Sequence, residues 1–204
     1  MVDFLIVLFA VTLIYFSSAE RLTTYISLIG LQGLLLCGIA LFELKEINGA
    51  NLLFITAETL IFKTFMMPLL LSRIVRNSGV TKVHRRAMPA FYILILSIFG
   101  LLVSVILANA LINSFVNTIF MTVALFALFT GLLLIVTHRL ILSHLIGFMI
   151  IENAVFMFSL AVGNEMPMLI NVGILLDIFV GVLILGFFGL RLKSQTNELT
   201  MLKD

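Results

Sequence analysis

Charge is the property that this sequence has least of. Lys, Arg, Asp and Glu make up 11% of the 204 residues, whereas hydrophobic residues make up 62%. A soluble domain of this length needs more polar residues than that to cover its surface. The apolar residues fall in continuous runs of about 20, the length of a helix that crosses a bilayer, rather than in the alternating runs of about 10 that build a membrane barrel. The composition therefore predicts an all-α integral membrane protein.

Cysteine and the common catalytic motifs are also nearly missing. There is one cysteine, Cys37, which lies within an apolar run. A single cysteine can form neither an intrachain disulfide nor a Cys-based metal or iron–sulfur site. No phosphate-binding loop, nucleophilic triad, haem-ligand pair or metal-ligand spacing occurs, and no basic, aromatic-rich segment indicates nucleic acid. We therefore expect no catalytic centre, metal or cofactor in this chain, and the lipid bilayer as its surroundings.

Seven apolar segments are long enough to be transmembrane helices. The predicted spans are 2–17, 25–42, 52–71, 90–111, 119–136, 140–162 and 168–190. They form one transmembrane domain, 1–191, which is followed by a short polar tail, 192–204. Pro68 lies inside the third span and is expected to kink it, because proline cannot donate a backbone hydrogen bond.

The positive charges predict how these helices are oriented. With seven spans, ten of the twelve lysines and arginines fall on one side of the membrane, whereas Lys45 falls on the other and Lys63 lies inside a helix. The ten are Arg21, Arg73, Arg76, Lys82, Arg85, Arg86, Arg139, Arg191, Lys193 and Lys203. Loops rich in Lys and Arg stay on the cytoplasmic side. The pattern therefore predicts that the N-terminus is outside and the C-terminus inside.

Two acids lie near the middle of the last two spans. Glu152 is eight residues from His144, near the cytoplasmic end of its span, and Asp177 is about nine residues from the outer end of the next, so at about 1.5 Å per residue both lie near mid-membrane. A charge at that depth costs roughly 2.5–3.5 kcal/mol and usually faces a protein interior or a water path. We expect both acids to be steps in a proton or ion path. A static hydrogen bond between helices is the alternative.

Two further charged residues, Glu58 and Lys63, share the third span. In an α-helix, residues five apart differ by about 140° around the axis, so each is expected to find its partner on another element. We expect both to extend the proton path. The alternative is an intramembrane ion pair that only fixes helix positions.

Small and polar neighbours of these charges predict helix packing. Gly173 and Gly181 lie four residues before and four residues after Asp177, which would let another helix approach closely on that face. Asn153, next to Glu152, is expected to orient that carboxylate or to hydrogen-bond across helices. We assign these three residues and Pro68 to helix packing.

Several of these residues together resemble a known family, component E of hydrogenase-4, a membrane-arm subunit of energy-converting nickel–iron hydrogenases and formate hydrogenlyases. The resemblance covers most of the chain and is strongest from Leu140 onward. The residues that carry it are Lys63, Pro68, Ile146-Gly147, Glu152-Asn153, Pro167, Gly173, Asp177 and Leu199-Thr200-Met201-Leu202-Lys203.

Residues 119–191 are also similar to the K subunit of respiratory complex I and to its counterpart in multisubunit cation/proton antiporters. Each of two consecutive helices carries a glutamate in that subunit. Asp177 matches the second of them, and Glu152 lies about one helical turn from the first.

The resemblance implies a subunit without a redox centre, in the cytoplasmic (inner) membrane of a prokaryote. Its partners would be antiporter-like membrane subunits and the other membrane and hydrogenase subunits of a complex-I-like complex. Within that complex it would contribute Glu152, Asp177, Lys63 and Glu58 to coupled translocation of H⁺ or Na⁺. Two alternatives remain open: a structural spacer whose ion pairs are static, and a free-standing small ion transporter.

Overall fold

The structure is a computed structural model that describes residues 1–43, 53, 56–78, 88–111, 117–162, 182 and 186. The helices are α1 (Val2–Ser18), α2 (Leu22–Glu43), a π-helical segment (Glu58–Met66) that continues directly into α3 (Met67–Ser78), α4 (Ala90–Ala110), α5 (Thr118–Thr137) and α6 (Ile141–Val162). Helix accounts for 92% of this part of the chain, which contains no strand. The all-helical class predicted from the sequence is confirmed.

Four of these helices, α2, α4, α5 and α6, are long and apolar enough to cross a membrane, and α1 is a shorter apolar helix. The runs of Leu, Ile, Val and Phe that build them carry almost no charge, so the helices can satisfy their backbone hydrogen bonds internally and expose apolar side chains to lipid. The protein is therefore an all-helical membrane protein.

The helix bounds follow the predicted spans closely at five places and depart from them at one. Helices α1, α2, α4, α5 and α6 begin and end within three residues of the predicted spans. The third helix was predicted to end at residue 71, but α3 continues to Ser78. Arg73 and Arg76 are exposed on this extension. A helix does not have to stop where its apolar run stops, because water satisfies charged side chains on an exposed turn. The seventh span, 168–190, lies outside the described residues apart from the helical positions Val182 and Gly186.

The bundle is centred on α1 and α2, which lie against each other. Helix α1 also packs on α4 and α5, and α2 also packs on the π-helical segment, α3 and α6. Helices α5 and α6 form the most extensive pair, an antiparallel hairpin. Helix α2 therefore lies between the π-helical segment and α6, which are the two elements that carry buried charges.

Two glycines let the helices of the α5–α6 hairpin approach to backbone contact. A Cβ on Gly147 would lie 2.8 Å from the Gly131 carbonyl oxygen and 2.7 Å from Ile135 Cγ1, and a Cβ on Gly131 would lie 2.7 Å from the Gly147 carbonyl oxygen. Any side chain at either position would push the two helices apart. This is the close packing that small residues allow between membrane helices.

Hydrogen bonds close the hairpin at both ends. At one end the Asn117 backbone N–H donates to the Ala161 carbonyl at 2.8 Å, and the Asn117 side chain caps α5 by accepting from the backbone N–H of Ile119 at 3.1 Å. At the other end His144 Nε2 donates to the His138 carbonyl at 2.7 Å. The register between α5 and α6 is thus fixed along its whole length.

The loop between α1 and α2 meets the turn between α5 and α6. The Tyr25 hydroxyl donates to the Ala19 carbonyl at 2.9 Å and lies 3.3 Å from His138 Nε2. The Tyr25 ring also stacks on Phe16, with ring centroids 5.6 Å apart. Arg21 and His138 each belong to an isolated β-bridge. These contacts join the α1–α2 pair to the α5–α6 hairpin at one end of the bundle.

We expect Gly147→Ala to destabilise the protein by about 1–3 kcal/mol, because the added methyl group meets backbone and cannot be accommodated by a side-chain rotation. Thermal unfolding of the purified protein in one detergent measures this. The matched control is Gly38→Ala on α2, whose Cβ would meet only the side-chain atom Leu5 Cδ1, at 3.3 Å. Equal unfolding midpoints for the two variants would contradict the close contact.

Candidate intramembrane ion-pair site

The π-helical segment brings Lys63 into the interior of the bundle. Lys63 is only 7% exposed. The segment is widened by one residue per hydrogen-bonded turn, and the Thr64 hydroxyl follows the same spacing by donating to the Thr59 carbonyl at 3.0 Å. Pro68 lies just after the segment and lacks the N–H that would otherwise bond to the Thr64 carbonyl. The π-helical segment that carries the lysine therefore lies directly on the N-terminal side of Pro68.

Lys63 pairs with Glu152 on α6. The Lys63 ammonium nitrogen lies 3.0 Å from Glu152 Oε1, and the two side chains are 9% and 5% exposed. Removing both charges from water costs several kcal/mol for each, which only a close partner of opposite charge can offset. Each charge offsets the cost of burying the other, and moving either one away would leave its partner without a counter-charge in an apolar environment.

An acid and an aromatic ring surround the ammonium group of Lys63. In the described part of the chain, the group in contact with the buried Glu152 Oε1 is this ammonium. The ammonium group also lies 5.4 Å from the centroid of the Phe156 ring, within range of a cation–π interaction. Lys63 is thus held by a charge and an aromatic face.

A chain of hydrogen bonds runs from the residue beside Glu152 to α1. Asn153 Nδ2 donates to Gln32 Oε1 on α2 at 3.1 Å, and Gln32 Nε2 donates to Thr12 Oγ1 on α1 at 3.0 Å. The Thr12 hydroxyl in turn donates to the Phe9 carbonyl at 2.6 Å. Gln32 and Asn153 are buried, so their amides depend on these bonds. The chain links α6, α2 and α1 at the level of the ion pair.

The residues predicted to carry function fall into two groups. Lys63 and Glu152 are brought into contact, Asn153 makes a hydrogen bond across helices, and Pro68 lies at the junction between the π-helical segment and α3. Glu58 begins the π-helical segment, and its side chain lies outside the described residues, as do Asp177, Gly173 and Gly181.

The 140° separation predicted between Glu58 and Lys63 assumed an α-helix and does not hold. In the π-helical segment the backbone hydrogen bonds join residues five apart, so positions 58 and 63 are one turn apart. Nothing in the apolar sequence signals this widening. Pro68, which interrupts the hydrogen-bonding pattern nearby, is the only local cue.

Thr12 and the central role of Gln32 are what sequence reasoning missed. Gln32 was recognisable as an amide inside an apolar run, a residue type that needs hydrogen-bond partners in a membrane. Thr12 carried no such signal, because a threonine in a helix satisfies its hydroxyl on a preceding carbonyl, as Thr12 does with Phe9. Its second bond, to Gln32, arises only from the packing of α1 on α2.

No family model, curated protein or solved structure matches this chain. The resemblance to hydrogenase-4 component E therefore stays a prediction. Within the described ranges, no group of three His, Cys, Asp or Glu side chains is arranged to hold a metal ion.

We expect Lys63→Met to destabilise the protein by about 3–5 kcal/mol, because it leaves a buried carboxylate without its counter-charge. Adding Glu152→Gln to that variant removes the orphaned charge and should recover much of the loss. Thermal unfolding midpoints of the two single variants and the double variant measure this. Arg73→Met, at an exposed position of α3, is the control and should stay within about 0.5 kcal/mol. A double variant as unstable as the sum of the singles would show that the two residues are not paired.

Proposed function

We propose that this chain is a non-redox membrane subunit that takes part in the translocation of protons or Na⁺, with Lys63 and Glu152 as its working pair. The observation that carries the proposal is the ion pair itself, which lies buried between two helices of an otherwise apolar bundle. Ionisable residues inside membrane segments are costly and usually mark ion or proton pathways.

The geometry of the pair suits a relay step. A proton that reaches Glu152 neutralises the carboxylate and ends its attraction for Lys63. The ammonium group is then buried without a counter-charge and releases a proton to the next group. At 3.0 Å the two groups are close enough to respond directly to each other's charge.

The remaining features of the proposal come from the sequence. Asp177 and Glu58 would extend the path on either side of the pair. The chain would have seven spans, with the N-terminus outside and the C-terminus in the cytoplasm of a prokaryote. The resemblance to hydrogenase-4 component E supports placing it in a complex-I-like hydrogenase complex, between antiporter-like membrane subunits and the membrane and hydrogenase subunits that hold the redox centres.

A structural spacer is the second candidate, and the hydrogen-bond chain favours it. Asn153, Gln32 and Thr12 bond one another in sequence, and such a chain fixes the relative positions of three helices. In this alternative the ion pair is a third contact between helices, beside these two hydrogen bonds. The two candidates differ in whether the charges of Lys63 and Glu152 change during turnover.

Replacing the carboxylate of Glu152 without changing its shape separates these candidates. We expect Glu152→Gln to abolish most ion translocation while the complex still assembles, because glutamine can hydrogen-bond but cannot carry a proton between partners. Translocation is measured in vesicles that contain the assembled complex, and assembly by co-purification. Glu20→Gln, at an exposed position, is the matched control and should translocate as the wild type does. Full translocation by Glu152→Gln, or loss of assembly, would favour the spacer.

The partners are identified by purifying the chain in a mild detergent through a C-terminal tag. We expect antiporter-like subunits and a nickel-containing hydrogenase to co-purify. Antiporter-like subunits without nickel would retain the ion path but change the redox partner. A monodisperse chain that purifies alone and translocates ions in liposomes would overturn the complex-subunit proposal in favour of a free-standing transporter.

A further inference from the structure

Two consecutive residues of α2, Gln32 and Gly33, touch the elements that carry the two halves of the ion pair. Both are buried. Gly33 lies against the peptide that follows Lys63, and Gln32 bonds the residue that follows Glu152. Consecutive residues of a helix point in directions about 100° apart. A single turn of α2 can therefore contact the π-helical segment on one side and α6 on the other.

The contact at Gly33 is between backbones. A Cβ at this position would lie 2.9 Å from the Lys63 carbonyl carbon, 2.9 Å from the Thr64 backbone nitrogen and 2.9 Å from Thr64 Oγ1. Neither backbone atom can rotate away as a side chain would. The missing side chain of Gly33 therefore sets the distance between α2 and the π-helical segment at the residue that supplies the ammonium group.

The contact at Gln32 fixes the other side. Gln32 Oε1 accepts from Asn153 Nδ2 at 3.1 Å, and its Nε2 is held by Thr12 at 3.0 Å. Because Gln32 is anchored at both ends of its amide, the carbonyl that Asn153 reaches is itself fixed. Asn153 and Glu152 lie within one continuous helix, because α6 runs without a break from Ile141 to Val162. Holding Asn153 thus holds the turn of α6 from which Glu152 projects.

We propose that Gln32 and Gly33 are positioning residues that together set the separation between Lys63 and Glu152, Gly33 through the backbone of the π-helical segment and Gln32 through Asn153. This proposal rests on the proposed function only for the reason why the separation matters. It states that the strength of the interaction between Lys63 and Glu152 depends on two residues that contact neither charged group.

The test is a double-mutant cycle measured in two backgrounds. Lys63→Met, Glu152→Gln and their combination are made in the wild-type chain and again in the Gly33→Ala chain, and the thermal unfolding midpoint of each full-length protein is measured in the same detergent at one scan rate. The part of the midpoint shift that is not additive reports the interaction between the pair. We expect this non-additive part to be clear in the wild-type background and to be lost with Gly33→Ala.

Non-additivity separates positioning from a general structural role. If Gly33 only supported the fold, Gly33→Ala would lower all four midpoints equally and leave the non-additive part unchanged. Gly38→Ala, on the same helix but against Leu5, is the matched control and should preserve it. Gln32→Leu is run as a third background, which carries the test if Gly33→Ala does not yield folded protein, and should also reduce the non-additive part. An unchanged value with either variant, or an equal loss with Gly38→Ala, would overturn the inference.

Ion translocation by the same variants keeps this inference distinguishable from the proposed function. We expect Gly33→Ala to lose most translocation, as Lys63→Met does, whereas Gly38→Ala retains it. Suppose that the mutant cycle gives the expected result but the Glu152→Gln variant still translocates ions. The positioning role would then be upheld and the proposed function rejected. A wild-type cycle without non-additivity would reject the positioning role, whatever the translocation result.

Discussion

A charge inside an apolar bundle needs a group of opposite charge next to it, and this requirement organises the protein around Lys63 and Glu152. The two residues come from elements far apart in the chain, so their attraction can be used only if the backbones that carry them are held at the right distance. In the described part of the bundle this is achieved by placing α2 between the two elements. Gly33 lies against the backbone of the π-helical segment, and Gln32 accepts a hydrogen bond from the Asn153 side chain on α6. We attribute the 3.0 Å separation of the pair to α2, which places a glycine against the π-helical segment and an amide side chain against α6.

The two kinds of polar contact in the interior differ in what they can do chemically. The amides of Gln32 and Asn153 take part in hydrogen bonds that continue to Thr12 and Phe9. The carboxylate of Glu152 is held by the Lys63 ammonium at 3.0 Å. The amides can only fix the positions of the helices, whereas the carboxylate can also accept a proton.

The sequence was a good guide to helices and a poor guide to partners. Long continuous apolar runs predict α1, α2, α4, α5 and α6, since a helix satisfies its backbone hydrogen bonds within one segment in lipid. The end of the third helix was misjudged because Arg73 and Arg76 mark the end of an apolar run without ending the helix. Lys63 and Glu152 were recognised separately, as charges that needed an explanation.

The pairing of Lys63 with Glu152 could not be predicted from the sequence, for a physical reason. The direction in which Lys63 points depends on the π-helical segment, and a π-helical turn changes the angle between neighbouring residues. Helical periodicity read with α-helical angles therefore assigns the wrong faces on either side of residues 58–66. Thr12 was missed for a related reason, because its bond to Gln32 depends on how two helices pack and not on the pattern within either one.

The closure of the α5–α6 hairpin has a consequence for how the two halves of the pair can move. Asn117 and Ala161 join the hairpin at one end, His144 and His138 join it at the other, and Gly131 meets Gly147 between them. Sliding or rotation of α6 against α5 would break all three contacts at once, so the two helices have few degrees of freedom relative to each other. Glu152 therefore projects from a helix whose movement relative to α5 is restricted. A displacement of α2 relative to this hairpin would stretch the Gln32–Asn153 bond, whereas the Lys63 and Glu152 side chains can change their separation by rotation alone.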